Sequence, residues 1–251
     1  MHCDVISTGG KKGNAVLLNG SLLFDCGVRA GVLLPYLPQI SMVFLTHIHG
    51  DHFRIATLQM IRKRRPLVKF VCSKNLLTDL VCRAGVPLDR IIWVNPDDGE
   101  KVVQHWPFVI VARAIPLLHD VENVGWAVQI SGSGEDGCAM YATDTHHIPV
   151  DVPGLDLYMI EANYREEDMD RRRAEKSQAS EFAYEGRVVQ SHMSMERAME
   201  WLERNADPDR SRIVFLHGHV EKEEVGNGLD RTAPGTKRTQ ENVQVCGGPE
   251  H

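Results

Sequence analysis

The chain has 251 residues, 43% of them hydrophobic and 25% charged, which is enough apolar material for a large core under an ordinary soluble surface. A net charge of -6 excludes a grip on nucleic acid through bulk charge, though not through local patches, and no apolar run is long enough to span a bilayer. Cys3, Cys26, Cys72, Cys82, Cys138 and Cys246 show no C-x-x-C spacing, which excludes a zinc ribbon or a dithiol redox motif; five of the six have apolar neighbours and read as buried thiols. No basic stretch followed by an apolar run opens the sequence, so a cytoplasmic protein is expected.

Residues 1–28 predict short strands, with Asn19-Gly20 between the apolar runs 14–18 and 21–25 as a hairpin signal. Asp25 ends the second strand of that hairpin, either as an ordinary turn residue or as an acid turned toward the histidines at 47–52. After a short apolar element at 32–37, the strand 41–45 runs into Thr46-His47-Ile48-His49-Gly50-Asp51-His52. His47 and His49 alternate off an extended backbone and so point the same way, and Asp51 and His52 return to the same point at a helix start. Ionisable groups gathered so densely have no packing value, and coordination of a metal is the reading that explains them.

Ile55, Leu58 and Ile61 predict a helix over 53–65, which ends in Arg62-Lys63-Arg64-Arg65 before Pro66. That basic run complements the helix C-terminus or, alternatively, contacts substrate phosphates. A strand at 67–72, a helix at 75–84 and a strand at 91–94 establish α/β alternation. Paired strands come next over 101–115, then His119 in a loop, strands at 126–130 and 138–142 leading to Thr143-Asp144-Thr145, and a strand at 155–160 ending at Glu161. The charged segment 165–181, with Arg171-Arg172-Arg173, reads as an exposed helix or excursion. A short strand at 187–190 precedes His192, and Ser194 is placed to cap a helix to Asn205 with Met195, Met199 and Leu202 on one face. The strand 213–216 delivers His217, whereas His219, His146 and His147 read as neighbours and not as ligands. Residues 221–251 lose apolar periodicity and are expected to form a polar tail, disordered or loosely packed, behind a domain over 1–220.

Separate strands thus end in His47, His119, Asp144 and His217, and over 1–220 the sequence resembles the metallo-β-lactamase superfamily. The resemblance rests on Asp25, the H-x-H-x-D-H signature of 47–52, His119, Asp144 and His217. It implies an α/β four-layer αββα sandwich with a two-metal site. His47, His49 and His119 would hold one ion, Asp51, His52 and His217 the other, Asp144 would bridge them, and Asp25 would support a ligand from behind. Two divalent ions are implied, zinc first, with manganese or iron accepted by an oxygen-richer second site. Ions roughly 3.5–4 Å apart share a hydroxide and lower its pKa until it is a nucleophile at neutral pH.

The bridging residue is Asp144 and not a cysteine, and His192 stands between the last two ligands, so the resemblance is to the phosphodiesterase branch, with ribonuclease Z, phosphonate-pathway cyclic phosphodiesterases and compact nucleases. There the extra histidine protonates the leaving oxygen, supported by a carboxylate for which Glu161 is the match. The catalytic set implied is therefore Asp51, His192 and Glu161, acting on nucleic acid or a small phosphodiester. No long substrate-gripping arm and no inserted second domain are visible, which favours a compact enzyme. The rival functions are hydrolysis of a lactone, thioester or β-lactam on the same fold, and a non-catalytic metal-containing binding module. Homo-oligomerisation is left open.

Overall fold

In the computed structural model, residues 1–104, 106–176, 188–217 and 243–245 are described. The chain begins with β1 (Cys3–Ser7), β2 (Ala15–Leu18) and β3 (Leu22–Phe24). Asn19 (φ 47°) and Gly20 (φ 65°) both take positive φ, and Ser21 N–H donates to the Leu18 carbonyl at 3.1 Å. That is the type I′ turn expected of Asn-Gly, and it pairs β2 with β3 antiparallel.

From β3 onward the first sheet is parallel: β4 (Met42–Phe44), β5 (Lys69–Cys72) and β6 (Ile91–Trp93) add in sequence order. Helices α1 (Ala30–Leu33), α2 (Ile55–Arg64) and α3 (Leu77–Cys82) lie in the connections, as parallel strands require. The second sheet has the order β13-β12-β11-β10-β9-β8-β7. Its strands are β7 (Glu100–Gln104), β8 (Val109–Leu117), β9 (Asn123–Ser131), β10 (Gly137–Ala142), β11 (Leu157–Glu161), β12 (Arg212–Leu216) and β13 (Val243–Val245). It is antiparallel from β7 to β10 and parallel from β10 to β13.

Period-2 alternation then divides the core into layers. Val16, Leu18, Phe24, Met42 and Phe44 of one sheet meet Ala112, Trp126, Tyr141 and Met159 of the other. Phe24 stacks on Phe44 and Tyr141 with centroids 5.0 and 5.2 Å apart, and Phe44 meets Trp126 edge-on at 5.6 Å. The alternate residues of the first sheet, such as Leu17, Leu23 and Val43, pack on Leu33, Leu58, Ile61 and Leu80 of the helices. On the far face of the second sheet, Met140, Tyr158 and Ile160 pack under Trp201 and Leu202 of α5 (Met195–Asn205). The result is the αββα sandwich, a metallo-β-lactamase fold. Among the described residues no helix is long and apolar enough to cross a membrane.

Several elements differ from expectation. Residues 188–190 are helical and not a strand, because both edges of β11 are already taken by β10 and β12; Arg187 lies outside the described residues. Ser194 caps α5 as expected, its hydroxyl accepting the Arg197 N–H at 3.2 Å. The buried stripe of α5 is Ala198, Trp201, Leu202 and Asn205, so Met199, one position off it, is exposed. Cys3, Cys26 and Cys72 are buried, but Cys82 at the end of α3 is exposed and Cys138 is half-buried. The charged segment forms α4 (Glu166–Lys176), and residues 177–187 lie outside the described set. Within the expected tail, Val243–Val245 pairs parallel with β12; the rest of 221–251 and Cys246 lie outside it too.

Candidate metal centre

One edge of the sandwich collects the strand ends. β4 runs out at Phe44 into Thr46 and His47, β8 at Leu117 before His119, β10 at Ala142 before Asp144, and β12 at Leu216 before His217. Asp25 (φ 58°), Asp144 (φ 52°) and His217 (φ 59°) leave their strands in the left-handed region. Asn19 of the hairpin is the one other non-glycine with positive φ among the described residues. Such conformations are disfavoured for side chains with a Cβ and persist only where the surroundings impose them.

The ligand-type atoms of His47, His49, His119 and Asp144 lie within 4.8 Å of one another, as do those of Asp51, His52 and Asp144, and those of Asp144, Glu161, His192 and His217. Asp144 belongs to every group. Its Oδ2 is 3.1 Å from His52 Nε2, 3.8 Å from His47 Nε2 and 3.9 Å from His119 Nε2, and its Oδ1 is 3.0 Å from His217 Nδ1. Asp51 Oδ2 lies 3.8 Å from His52 Nε2. His217 differs from the sequence-based grouping: it reaches Asp144 but sits with Glu161 and His192, and not with Asp51 and His52, while its Nε2 accepts the Gly10 N–H at 3.3 Å.

A cation fits this donor set. His47 Nε2 is buried with no hydrogen-bond partner among the described residues, an arrangement that costs stability unless something else binds there. Three imidazoles with one carboxylate suit zinc, and the Asp51, His52, Asp144 group is richer in oxygen.

The donors are held from behind. Asp25, fully buried, accepts His52 Nδ1–H at 2.7 Å, Thr46 N–H at 3.0 Å, Thr46 Oγ1–H at 2.9 Å and Tyr141 O–H at 2.9 Å. His52 therefore carries its proton on Nδ1 and turns Nε2 toward Asp144. Glu161, also fully buried, accepts the Thr145 N–H at 2.7 Å and lies 2.6 Å from His192 Nδ1 and 3.0 Å from His217 Nδ1. Sequence reasoning missed Asn14, Thr46, Gly27 and Tyr141 as parts of this support. Asn14 N–H donates to the Asp51 carbonyl at 2.7 Å and its Nδ2 lies 2.7 Å from His52 Nε2. A Cβ on Gly27 would stand 1.6 Å from the Asp51 carbonyl oxygen. The Gly9-Gly10-x-x-Gly13-Asn14 run was the available signal, since glycines mark a close backbone approach.

Electrostatics divide the histidines. Burial holds His47 well below its ordinary pKa and also lowers His119, so both rings offer neutral lone pairs. Burial opposes charge on His52 as well, but the Asp144 and Asp25 carboxylates outweigh it and raise that pKa well above the usual value. His217 is pushed up to about 10, and His192 is raised, because in each case facing carboxylates overcome burial. Asp144, despite burial, is held well below the carboxylate range by His52 and His217, and Glu161 is lowered by His192 and His217.

The basic run at 62–65 does not join the centre. Because β4 and β5 are parallel, α2 must carry the chain away from the site edge, and its ten residues put about 15 Å between Ile55 and Arg64. Arg65 donates to the Pro38 and Ile40 carbonyls, and the Arg62 side chain lies against Gly85. Arg62, Lys63, Arg64 and Arg65 are therefore too distant to contact a phosphate at the cluster. Arg171 pairs with Asp168 at 2.8 Å, and the side chains of Arg172 and Arg173 lie outside the described residues. His146 lies against Arg197, 2.9 Å from its Nη1, with Nδ1 2.9 Å from the Val189 carbonyl. It stands apart from the ligand groups, as expected; His219 lies outside the described residues.

An αββα sandwich whose strand ends gather histidines and aspartates around an unsatisfied imidazole defines a class, the metallo-β-lactamase-fold hydrolases with a His/Asp metal-binding site. The chain belongs to the β-lactamase superfamily, whose domain model matches residues 21–217. Ribonuclease Z of Natronomonas pharaonis is 30% identical over 122 residues, covering 43% of this chain and 38% of that protein, so the match spans well under half of that relative. The metallo-β-lactamase fold protein YhfI of Bacillus subtilis superposes with a TM-score of 0.56 at 17% identity, over 87% of this chain and 86% of that one. A long-form RNase Z from yeast superposes with the same score, 0.56, at 11% identity, over 97% of this chain and 39% of its own. At those identities the two structures speak for the fold alone.

Proposed function

We propose that this protein is a two-metal phosphodiesterase acting on nucleic acid or a nucleotide-like diester, with His192 as general acid. The observation that carries the reading is the His192–Glu161 pair, 2.6 Å apart, beside the ligand groups. Hydrolysis of an ester with a good leaving group needs no such residue, whereas a diester expels a basic alkoxide that must be protonated. The similarity to part of ribonuclease Z supports the same substrate class.

His47, His49 and His119 would hold one divalent ion, Asp51 and His52 the second, with Asp144 shared and His217 reaching the centre through it. Zinc suits the imidazole-rich group, and manganese or iron the oxygen-richer one. Such ions, when bound, activate water at neutral pH and neutralise charge on the reacting phosphate. The chain's own residues do the rest. Glu161 accepts the Nδ1 proton of His192 and so fixes the ring, which leaves the Nε2 proton as the one donated to the departing oxygen. Asp25 keeps His52 in the tautomer with a free Nε2. Asp51, partly exposed, faces the substrate side of its group.

Cations for the phosphate come from the rim. The turn Gly10–Lys12 is bracketed by Gly10 N–H on His217 and Asn14 N–H on Asp51, and Lys11 and Lys12 project into solvent between those contacts. Neither lysine has an ion pair among the described residues.

The test is His192→Ala, loaded with zinc or manganese, assayed on an unactivated diester such as a dinucleotide. Metal content should be retained and kcat should fall by about 10²–10⁴. Full activity on that substrate removes His192 from the reaction, and a wild type that cleaves lactones or thioesters but no diester moves the function to another branch of the fold.

A further inference from the structure

We infer that His146, through its hydrogen bond to the Val189 carbonyl, is a positioning residue that sets where His192 stands. The inference rests on the general-acid reading of His192 above and adds a residue outside the ligand groups.

His192 directly follows a helical turn, residues 188–191, and its N–H donates to the Val188 carbonyl at 2.9 Å. The last turn of a helix leaves the carbonyls beyond that one without an amide to accept from. The Val189 carbonyl is one of these, and it lies 2.9 Å from His146 Nδ1. A carbonyl can only accept, so the imidazole donates, and the turn is pinned three residues before the general acid.

His146 is itself held in place. Its own N–H donates to the Leu118 carbonyl at 2.8 Å. Arg197 Nη1 lies 2.9 Å from its Nε2 and 3.1 Å from its Nδ1, near-equal distances that put the guanidinium over the face of the ring, where stacking fixes the ring plane. The neighbouring Thr145 N–H donates to Glu161 Oε2 at 2.7 Å, while Glu161 Oε1 is the atom 2.6 Å from His192 Nδ1. Two adjacent residues after β10 thus act on the general acid from both ends: Thr145 steadies the carboxylate that orients its ring, and His146 the backbone that carries it. The Ser191 carbonyl lies 3.2 Å from His119 Nδ1, so the turn keeps a second contact when His146 is replaced, and a partial defect is expected. A general acid must come within hydrogen-bond range of the departing oxygen, and a displacement of about 1 Å can cost about 10²-fold.

The zinc-loaded full chain is assayed as His146→Leu, His146→Asn and His146→Gln on a dinucleotide and on bis(p-nitrophenyl) phosphate, whose leaving group needs no proton. His146→Leu should lose about 10–100-fold in kcat on the dinucleotide, with KM and zinc content unchanged, and about 3-fold or less on the activated diester. Asparagine brings its amide nitrogen to the place of Nδ1, so His146→Asn should recover most of the rate; in His146→Gln the nitrogen falls near Nε2 and the rate should stay low. Amide hydrogen exchange over residues 188–193 of the metal-free protein reads the contact apart from turnover: it should be faster in His146→Leu and His146→Gln and unchanged in His146→Asn. Equal losses on both diesters, rescue by His146→Gln as full as by His146→Asn, or wild-type rates and exchange in His146→Leu each overturn the inference. His192→Ala is measured beside them. Full activity of His192→Ala on the dinucleotide overturns the general-acid reading and the inference with it, whereas a loss there with unaltered His146 variants overturns the inference alone. His146→Asn and His146→Gln are both polar changes of similar size, so a difference between them is not a general folding defect.

Discussion

Asp25→Asn separates a support for the metal centre from a mere turn residue. Asparagine tolerates the positive φ of 58° and has the same shape, so neither backbone nor volume changes. The charge and one acceptor do change. If the amide nitrogen takes the Oδ1 position it faces the Thr46 N–H, which cannot rotate away. If it takes the Oδ2 position it faces His52 Nδ1–H and Tyr141 O–H; the hydroxyl can turn, but His52 must move its proton to Nε2, the nitrogen that looks at Asp144. Either way one buried donor is opposed, at about 1–3 kcal/mol, and the remaining bonds lose their charge assistance. The expected destabilisation is about 2–4 kcal/mol, or roughly 5–15 °C in Tm for a chain of this size. The tautomer change should also lower metal affinity by about 10–100-fold. Urea unfolding of the metal-free protein reads the first effect and chelator competition the second. A variant within about 0.5 kcal/mol of wild type and with unchanged affinity would refute the assigned role.

Other substitutions probe other parts of the centre. Gly27→Ala drives a Cβ to 1.6 Å from the Asp51 carbonyl oxygen, so it should cost about 3 kcal/mol and displace the Asp51–His52 turn; retention of two equivalents of zinc in a titration would contradict this. Lys11→Ala with Lys12→Ala should raise KM for an oligonucleotide and flatten its salt dependence, whereas Lys63→Ala with Arg64→Ala should change neither, and steady-state kinetics across a salt series would expose the reverse pattern. Asp156 pairs with Arg210 at 2.7 Å and accepts the Cys138 N–H at 2.8 Å, contacts that overcome partial burial and lower its pKa. A lowered carboxylate contributes stability above its unfolded pKa and loses it as pH falls through the folded one. Asp156→Asn should therefore cost about 1 kcal/mol at pH 7, with the gap to wild type closing below about pH 4. Urea midpoints at both pH values measure it, and a gap that persists in acid counts against the assignment.

Much of the sandwich was legible because its signals are local. Asn19-Gly20 specifies its own turn, and the ligands of 47–52 are adjacent in the chain. The grouping of His217 with Glu161 was not legible, since it depends on β11 and β12 lying side by side in parallel register, Glu161 opposite Leu216. For the same reason the basic run at 62–65 could not be excluded from the site before the direction of α2 was known. The helix at 188–190 is a case where tertiary context decided: two valines suit a strand, but both edges of β11 are already paired with β10 and β12. Asn14 and Tyr141 act through contacts with residues 37 and 116 positions away, which no periodicity reveals.

Asp25, Asp144 and His217 hold positive φ on three different strands, each at a cost of about 1–3 kcal/mol relative to extended backbone. In an unfolded chain these residues relax to the extended region, and only the donors of 47–52 remain near one another. The full constellation thus comes into being only when the two sheets have stacked in register. Ions that need all of its donors would bind the native state and hardly the unfolded one, so metal capture and folding would be linked equilibria. Stability should climb with the logarithm of free metal concentration once that concentration exceeds Kd. The supply of metal would then tune how stable this protein is, as well as how much of it is active.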